Sequence, residues 1–523
     1  MNALLESSRT GARRWWALGA VSLTVLAVGL DGTVLSVALP TLARDLHASE
    51  STLQWFSSGY LLVLAAAMLP AGLLGDRYGR KKVMLIALAL FGVGSGACAA
   101  APSAGAFIAA RVLLGLAGAG VIVMALSAVT VLFSEEERPK AVGIWSAANF
   151  LALPIGPILG GWLLTHYWWG WVFLMNVPIA LVGLTAAFAL VPESRAQRRP
   201  GLDLVGVAVS AAGLLALTYG LIEAGQHGWG ASGALVPMLA GVAMLVAFFG
   251  WERRLSRRAG GEPLVDLALF RSASFTWGVM LAAVAVLAMI GVLFTMPQYF
   301  QGVVGTDAMG SGLRLLPLIA GLIVGAVPAD RIARLAGAKL AVAVGFAVLA
   351  AGLIMGANTR MDSGGGFVAA WMALVGAGMG LALATSASAA LSALSEERSG
   401  VGSAVLQAVN KTGGPLGTAV LGSVASSAYL ARLNLSGLPT AAARVIRQSI
   451  FGGVAIAHQL RSVALLDSVR AAFVHGMDLA LMVSAGIAGV GVILALVFLP
   501  RVTARKQARP EYADTQAERA VAV

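Results

Sequence analysis

Charge is scarce in this chain: Asp, Glu, Lys and Arg make up 11% of its 523 residues. A water-soluble protein carries about a quarter, which excludes a soluble enzyme or a string of soluble domains. Cysteine is nearly absent as well. Cys98 stands alone in an apolar run, which excludes an intrachain disulfide and a cysteine-based metal site. The five histidines, His47, His166, His227, His458 and His475, are scattered singly, with no metal-ligand spacing and no nucleophile constellation. No phosphate-gripping loop occurs, so the sequence shows no ATP motor of its own. Net charge is +12, but the basic residues punctuate apolar runs and form no continuous patch, and nucleic acid is not an expected partner.

What the chain has instead is apolar sequence, with 59% of its residues hydrophobic. These gather into runs of roughly 20, the length that crosses a bilayer core. Breaks rich in charge, Gly or Pro divide them into fourteen candidate spans. The spans lie near residues 15–39, 53–74, 83–101, 105–133, 141–164, 171–190, 204–222, 234–249, 275–300, 310–332, 340–355, 367–391, 401–429 and 479–499. Each reads as a helix, because a helix satisfies its own backbone in lipid, whereas barrel strands are about half as long and alternate in polarity. The prediction is an all-α membrane protein. Its first span is too long for a signal-peptide core and reads as an uncleaved helix.

Positive charge orients the spans. With the N-terminus inside, most of the 36 Lys and Arg fall in cytoplasmic segments, densest at Arg77–Lys82, Arg195–Arg199, Arg253–Arg258 and beyond Arg501. Both ends are then cytoplasmic, in a bacterial inner (plasma) membrane. The expected organisation is a cytoplasmic segment 1–14, a six-helix bundle 15–192, a linker 193–271 carrying helices seven and eight as an inserted pair, a second six-helix bundle 272–500, and a polar, disordered tail 501–523. Residues 431–478 read as a long external loop. Its spaced apolar positions Val445, Ile446, Ile450 and Val454 suit short amphipathic helices on the outer surface, or a lid over an exit.

After the second span comes Gly72-Leu-Leu-Gly-Asp76-Arg77-Tyr-Gly79-Arg80-Lys81-Lys82. Gly72 permits close helix contact, Gly79 a tight turn, and Asp76 can pair with Arg or accept bonds from a helix N-terminus. A charge cluster at the membrane face can lock one conformation and release another. The stretch resembles the signature loop of the major facilitator superfamily. A degenerate echo, Pro328-Ala-Asp330-Arg331-Ile-Ala-Arg334-Leu-Ala-Gly337, stands at the equivalent place in the second half, as an internal repeat requires. The fourth span carries Arg111-Val-Leu-Leu114-Gly115, similar to the superfamily's second motif with Leu114 in place of glutamine. The fifth carries Gly156-Pro157-Ile-Leu-Gly160-Gly161, which resembles the exporter motif, with Ala152 where an upstream glycine is usual. Small residues there admit a neighbouring helix and proline bends the chain.

Leu30-Asp31-Gly-Thr33 through Pro40, Gln54-Trp55 with Tyr60, Phe173-Leu-Met-Asn176-Val-Pro178 and Pro297-Gln298-Tyr299-Phe300-Gln301 narrow the resemblance to the fourteen-helix drug/proton antiporters of the EmrB and QacA type. It extends from Trp15 to Pro500. It implies two six-helix bundles plus two inserted helices, alternating access, proton-driven efflux and a pocket near the midplane. The implied partners are a small molecule, protons and the lipid bilayer. No cofactor beyond the proton gradient is implied, and a monomer is expected to suffice.

An ionisable group inside a span costs roughly 2.5–3.5 kcal/mol and needs a reason. Asp31 is the acidic residue well inside a span, about 8 residues or roughly 12 Å from the outer end of its helix. Arg111 lies at similar depth, about 6 residues or roughly 9 Å down the fourth helix. Asp31 is read as the site of the coupling proton or of a cationic substrate, with Arg111 setting its protonation, since burial favours a neutral carboxyl and a guanidinium an ionised one. The competing reading is a static ion pair holding two helices together. Lys411 is too deep to reach the interface with ease and reads as facing a cavity; Arg314, a turn into its helix, reads equally as an interface or a cavity residue. Trp55, Tyr60, Trp145, Asn149, Phe294, Gln298 and Gln301 are the aromatic or polar positions expected around a pocket for apolar molecules. Export of drugs or of a self-made antibiotic is expected; uptake or exchange of an amphipathic metabolite is the alternative, disfavoured by the fifth-span motif.

Overall fold

The computed structural model describes residues 2–133, 137–195, 203–258, 265, 267–392, 394 and 396–500. The tail 501–523 and most of the stretch joining the first bundle to the inserted pair lie outside them. Every regular element among the described residues is helical.

The first half comprises α1 (Asn2–Asp45), α2 (Glu50–Tyr78), α3 (Arg80–Ala99), α4 (Ala104–Leu132), α5 (Arg138–His166), α6 (Trp171–Leu174) and α7 (Asn176–Leu190). Side chains set several starts: the Ser49 and Ser103 hydroxyls accept from Thr52 N and Ala106 N at the heads of α2 and α4, each at 3.3 Å. The sixth span breaks at Met175, next to Pro178, which supplies no amide hydrogen to the preceding turn. α1 packs on α5 and α7, α2 on α4, and α3 on α4 and α7.

Between the halves stand α8 (Leu204–His227) and α9 (Ser232–Ser256), packed on each other. α8 also lies across α2, and α9 turns a bare apolar face outward, with Val236, Leu239 and Val246 all 64–68% exposed. That is a lipid-facing surface.

The second half comprises α10 (Ala273–Gln298) with a π-helical turn at Tyr299–Val303, α11 (Ala308–Arg314), α12 (Leu316–Ala326), α13 (Ala329–Ala336), α14 (Ala338–Gly356), α15 (Gly365–Leu391), α16 (Glu396–Arg432), α17 (Thr440–Gln448), α18 (Ile450–Gln459) and α19 (Val463–Phe498). The run at 310–332, read as one helix, is three, broken beside Pro317 and Pro328. Within 431–478, read as an external loop, α19 already begins at Val463 and not near Leu479. Its first four turns bury Leu465, Val469, Ala472 and Phe473 on one face and carry Asp467, Arg470 and His475 on others, and these charges hide the helix from an average of hydropathy. α17 and α18 are the short helices expected there. Tyr429 pins them, donating to Ile446 O at 2.8 Å.

Among the described residues, twelve helices are long and apolar enough to cross a membrane, with α6–α7 and α11–α12 each counted once. The protein is a multi-pass, all-helical membrane protein. α5 and α16, of 29 and 37 residues, stand outside that set of twelve. The echo of the signature loop is structural as well. Gly79 (φ +116°) and Gly337 (φ +86°) each close one helix, donating to the carbonyl four residues back at 2.9 Å, and open the next by accepting from Val83 N and Ala341 N at 3.1 Å. Only glycine adopts such backbone without strain.

Candidate functional site

Call the end of the bundle that carries residues 77–82 the basic end, and the opposite one the far end. Near mid-depth α1, α2, α4 and α7 converge on two charged groups. Asp31 and Arg111 form an ion pair, and each is 1% exposed or less. Arg111 Nε donates to Phe56 O at 3.1 Å, and Asn176 Nδ2 donates to the other carboxylate oxygen of Asp31 at 3.4 Å. The guanidinium lies over the Tyr60 ring, 4.1 Å from its centroid, and the Tyr60 hydroxyl donates to Val28 O at 3.0 Å. Such a pair breaks only at a high cost, because either charge alone is stranded in a low-dielectric interior.

Next to it lies a cavity of about 240 Å³, walled by both halves. From the first half come residues of α1 such as Gly32 and Ser36, Tyr60 and Leu64 of α2, Ile122 of α4 and Pro157 of α5. From the second come Met289 and Phe294 of α10, Leu318 and Leu322 of α12, and Asn410, Lys411 and Thr418 of α16. Asp31 and Arg111 are not on this wall. They point into the first bundle, and Tyr60, which touches both the pair and the cavity, stands between.

Three of the expected pocket residues line the cavity: Tyr60, Phe294 and Lys411. Trp55 lies instead against α8, 6.4 Å from the Tyr219 ring, and Trp145 is buried in α5. Gln298 donates to Glu50 Oε1 at 3.2 Å, and Gln301 to Val37 O at 3.1 Å. Both glutamines therefore tie the halves together above the cavity and do not line it. The side chain of Asn149 lies outside the described residues. Arg314 is exposed, bonds back to Gly310 O at 3.3 Å and does not line the cavity.

The fifth-span motif forms two contacts. Gly156 and Gly160 face α1, where a Cβ would collide with Thr33 and Val34. Gly161 faces the other half: a Cβ there would stand 2.7 Å from Ala308 O and 2.8 Å from Met309 Cα. Gly312 in turn abuts the Pro157 carbonyl, so α5 and α11 meet backbone to backbone at the far end.

At the basic end Asp76 binds Arg80, with Nε at 2.9 Å and Nη2 at 2.8 Å. A Cβ on Gly72 would meet Val123 at 3.5 Å, an ordinary contact, so the packing there does not demand glycine, and Arg77 covers the Tyr78 ring. The remaining partner is one that sequence reasoning missed. Glu193 accepts from Lys81 N at 3.2 Å and sits directly over Gly79, while Lys81 Nζ reaches Phe188 O at 2.6 Å. The loop is thus clasped by its own half. Gln298, Gln301 and Ser58, the last to Pro415 O, hydrogen-bond across the halves. No three or more His, Cys, Asp or Glu converge as metal ligands among the described residues.

Residues 21–418 match the profile of the Major Facilitator Superfamily. The chain is 35% identical over 496 residues to a tetracenomycin C resistance and export protein of Streptomyces glaucescens, covering 92% of this chain and 91% of that one. It is 33% identical over 500 residues to the multidrug efflux pump LfrA of Mycolicibacterium smegmatis, covering 94% and 96%. Among solved structures, it superposes on an inward-facing bacterial homologue of the human lysosomal transporter Spinster with a TM-score of 0.67 at 15% identity, over 93% and 97% of the two chains. A D-xylose–proton symporter gives a TM-score of 0.58 at 15% identity, over 93% and 98%.

Proposed function

The chain belongs to the Major Facilitator Superfamily, and on that premise we propose that it is a proton-coupled antiporter exporting small apolar or amphipathic compounds. The observation that carries this is the Asp31–Arg111 pair, sealed inside the first bundle one ring's thickness from a cavity shared by both halves. A proton arriving on Asp31 removes the charge that holds Arg111. The guanidinium, still bound to Phe56 O and Tyr60, then lacks a counterion, and α1 and α4 favour a different packing. Because α1 supplies much of the cavity wall, its shift alters which end of the cavity opens. Relatives named for export and multidrug efflux support the outward direction.

The proposed topology follows the positive charge: the basic end faces the cytoplasm of a bacterial cell, with both termini there. α5 packs on α1 and α16 on α10 and α19, each also meeting the other half, and with the twelve above they make the proposed fourteen spans. The backbone contact of α5 with α11 and the bonds of Gln298 and Gln301 join the halves toward the far end, which supports a state closed at that end. A monomer contains the whole device, and the proton gradient replaces any cofactor.

Everted vesicles test the proposal. Gradient-driven accumulation of a fluorescent drug should vanish with a protonophore and in Asp31→Asn, at unchanged expression and with a melting temperature lowered by the unpaired Arg111 but still above the assay temperature. Accumulation that persists in either case overturns antiport through Asp31. A dedicated exporter of one compound is the second reading, since relatives include a protein named for tetracenomycin C alone beside the multidrug pump; a panel of dyes and antibiotics separates the two.

A further inference from the structure

The central cavity has an electrostatic bias that proton exchange at Asp31 does not use. Among the described residues its wall carries one charged side chain, Lys411, a cation. No carboxylate shares that wall among the described residues, and the stretch 141–166 of α5, part of it undescribed, contains neither Asp nor Glu. Asp31 sits on the helix that supplies Gly32 and Ser36, but its oxygens are taken by Arg111 and Asn176. Lys411 makes no hydrogen bond or ion pair with any described residue. Beside it the Asn410 side-chain oxygen is buried without a partner. An ammonium left unpaired inside a membrane domain is costly and marks a site where something else supplies the counter-charge.

We infer that the cargo is an anion: a flat, largely apolar molecule with one acidic oxygen group, a carboxylate, phenolate or enolate, that pairs with Lys411. Asn410 accepts from a hydroxyl or N–H on the same molecule, or donates to it with the amide turned. The rings of Tyr60 and Phe294, on opposite halves, give the apolar body its faces. A cation of the same shape meets Lys411 with nothing on the wall to offset the repulsion, so the bias discriminates by charge and not merely by size. This inference rests on the export reading and names the class of molecule exported.

A charge series on one ring system tests it: anthraquinone-2-carboxylate, its uncharged carboxamide and a trimethylammonium analogue. Binding to the full chain, purified in detergent, is followed by tryptophan quenching. The carboxylate should bind about tenfold tighter than the other two. Lys411→Met should erase that preference, and Lys411→Arg should keep it. A cation preferred by the wild type, or a carboxylate preference unchanged in Lys411→Met, overturns the inference. Should Lys411→Met fail to fold, as its melting temperature would show, Lys411→Gln and the order of the three ligands on the wild type decide. Transport is read separately in everted vesicles. Wild-type vesicles that accumulate none of the three under a gradient count against export, whereas accumulation of the cation alone refutes only the anion.

Discussion

Tyr60 holds three jobs at once: it covers Arg111, bonds to Val28 O and forms part of the cavity wall. Replacing it by Phe removes only the hydroxyl bond, worth about 0.5–1.5 kcal/mol, and transport should change by no more than roughly tenfold. Tyr60→Ala removes the partition itself. Water from the cavity then reaches Asp31, and protons should leak without cargo, seen as faster collapse of a pH gradient in proteoliposomes holding a pH-sensitive dye. A tight gradient in Tyr60→Ala would show that the ring is not the barrier. The two charges were legible in the sequence because an ionisable residue in an apolar run is conspicuous, and counting residues sets them at one depth. Their facing was not. It depends on how Phe56 and Asn176 pack around them, and Gln298 finds Glu50 across a separation of 248 residues, which no local pattern announces.

Helices were legible as composition and only partly as geometry. Hydropathy marks that a run is apolar, and so the break at Met175, the three pieces at 308–336 and the early start of α19 went unseen. The glycines of the fifth span were legible as a motif, but not that Gly161 abuts the second half whereas Gly156 abuts the first. That division yields a prediction. Gly161→Leu intrudes on Ala308 and Met309, and overpacking of about 1–3 kcal/mol opposes closure of the far end. The closed state should lose about 5- to 150-fold in population. Spin labels on Asp45→Cys and Val304→Cys should move apart, with transport falling in step. An unchanged distance would place closure elsewhere. Gly96→Ala is the control, since nothing lies within 4 Å of its added carbon.

At the scale of the whole molecule, the matched turns at Gly79 and Gly337 set both on the basic end, and the proposed topology assigns that end to the cytoplasm. In a Cys98→Ser background, an impermeant maleimide should label Ser436→Cys on intact cells, and Leu335→Cys only after permeabilisation. The reverse pattern inverts the topology and, with it, the direction of transport. The inserted pair bears on how greasy cargo arrives. α8 lies over the seam where α2 meets α16, with Ser427 bonded to Gly225 O at 3.2 Å, so a solute dissolved among the acyl chains finds that flank shuttered. The opposite seam has no inserted helix over it among the described residues: there α5 meets α11 backbone to backbone at Gly161 and Gly312, so on the proposed export reading lipid-dissolved cargo meets that flank bare.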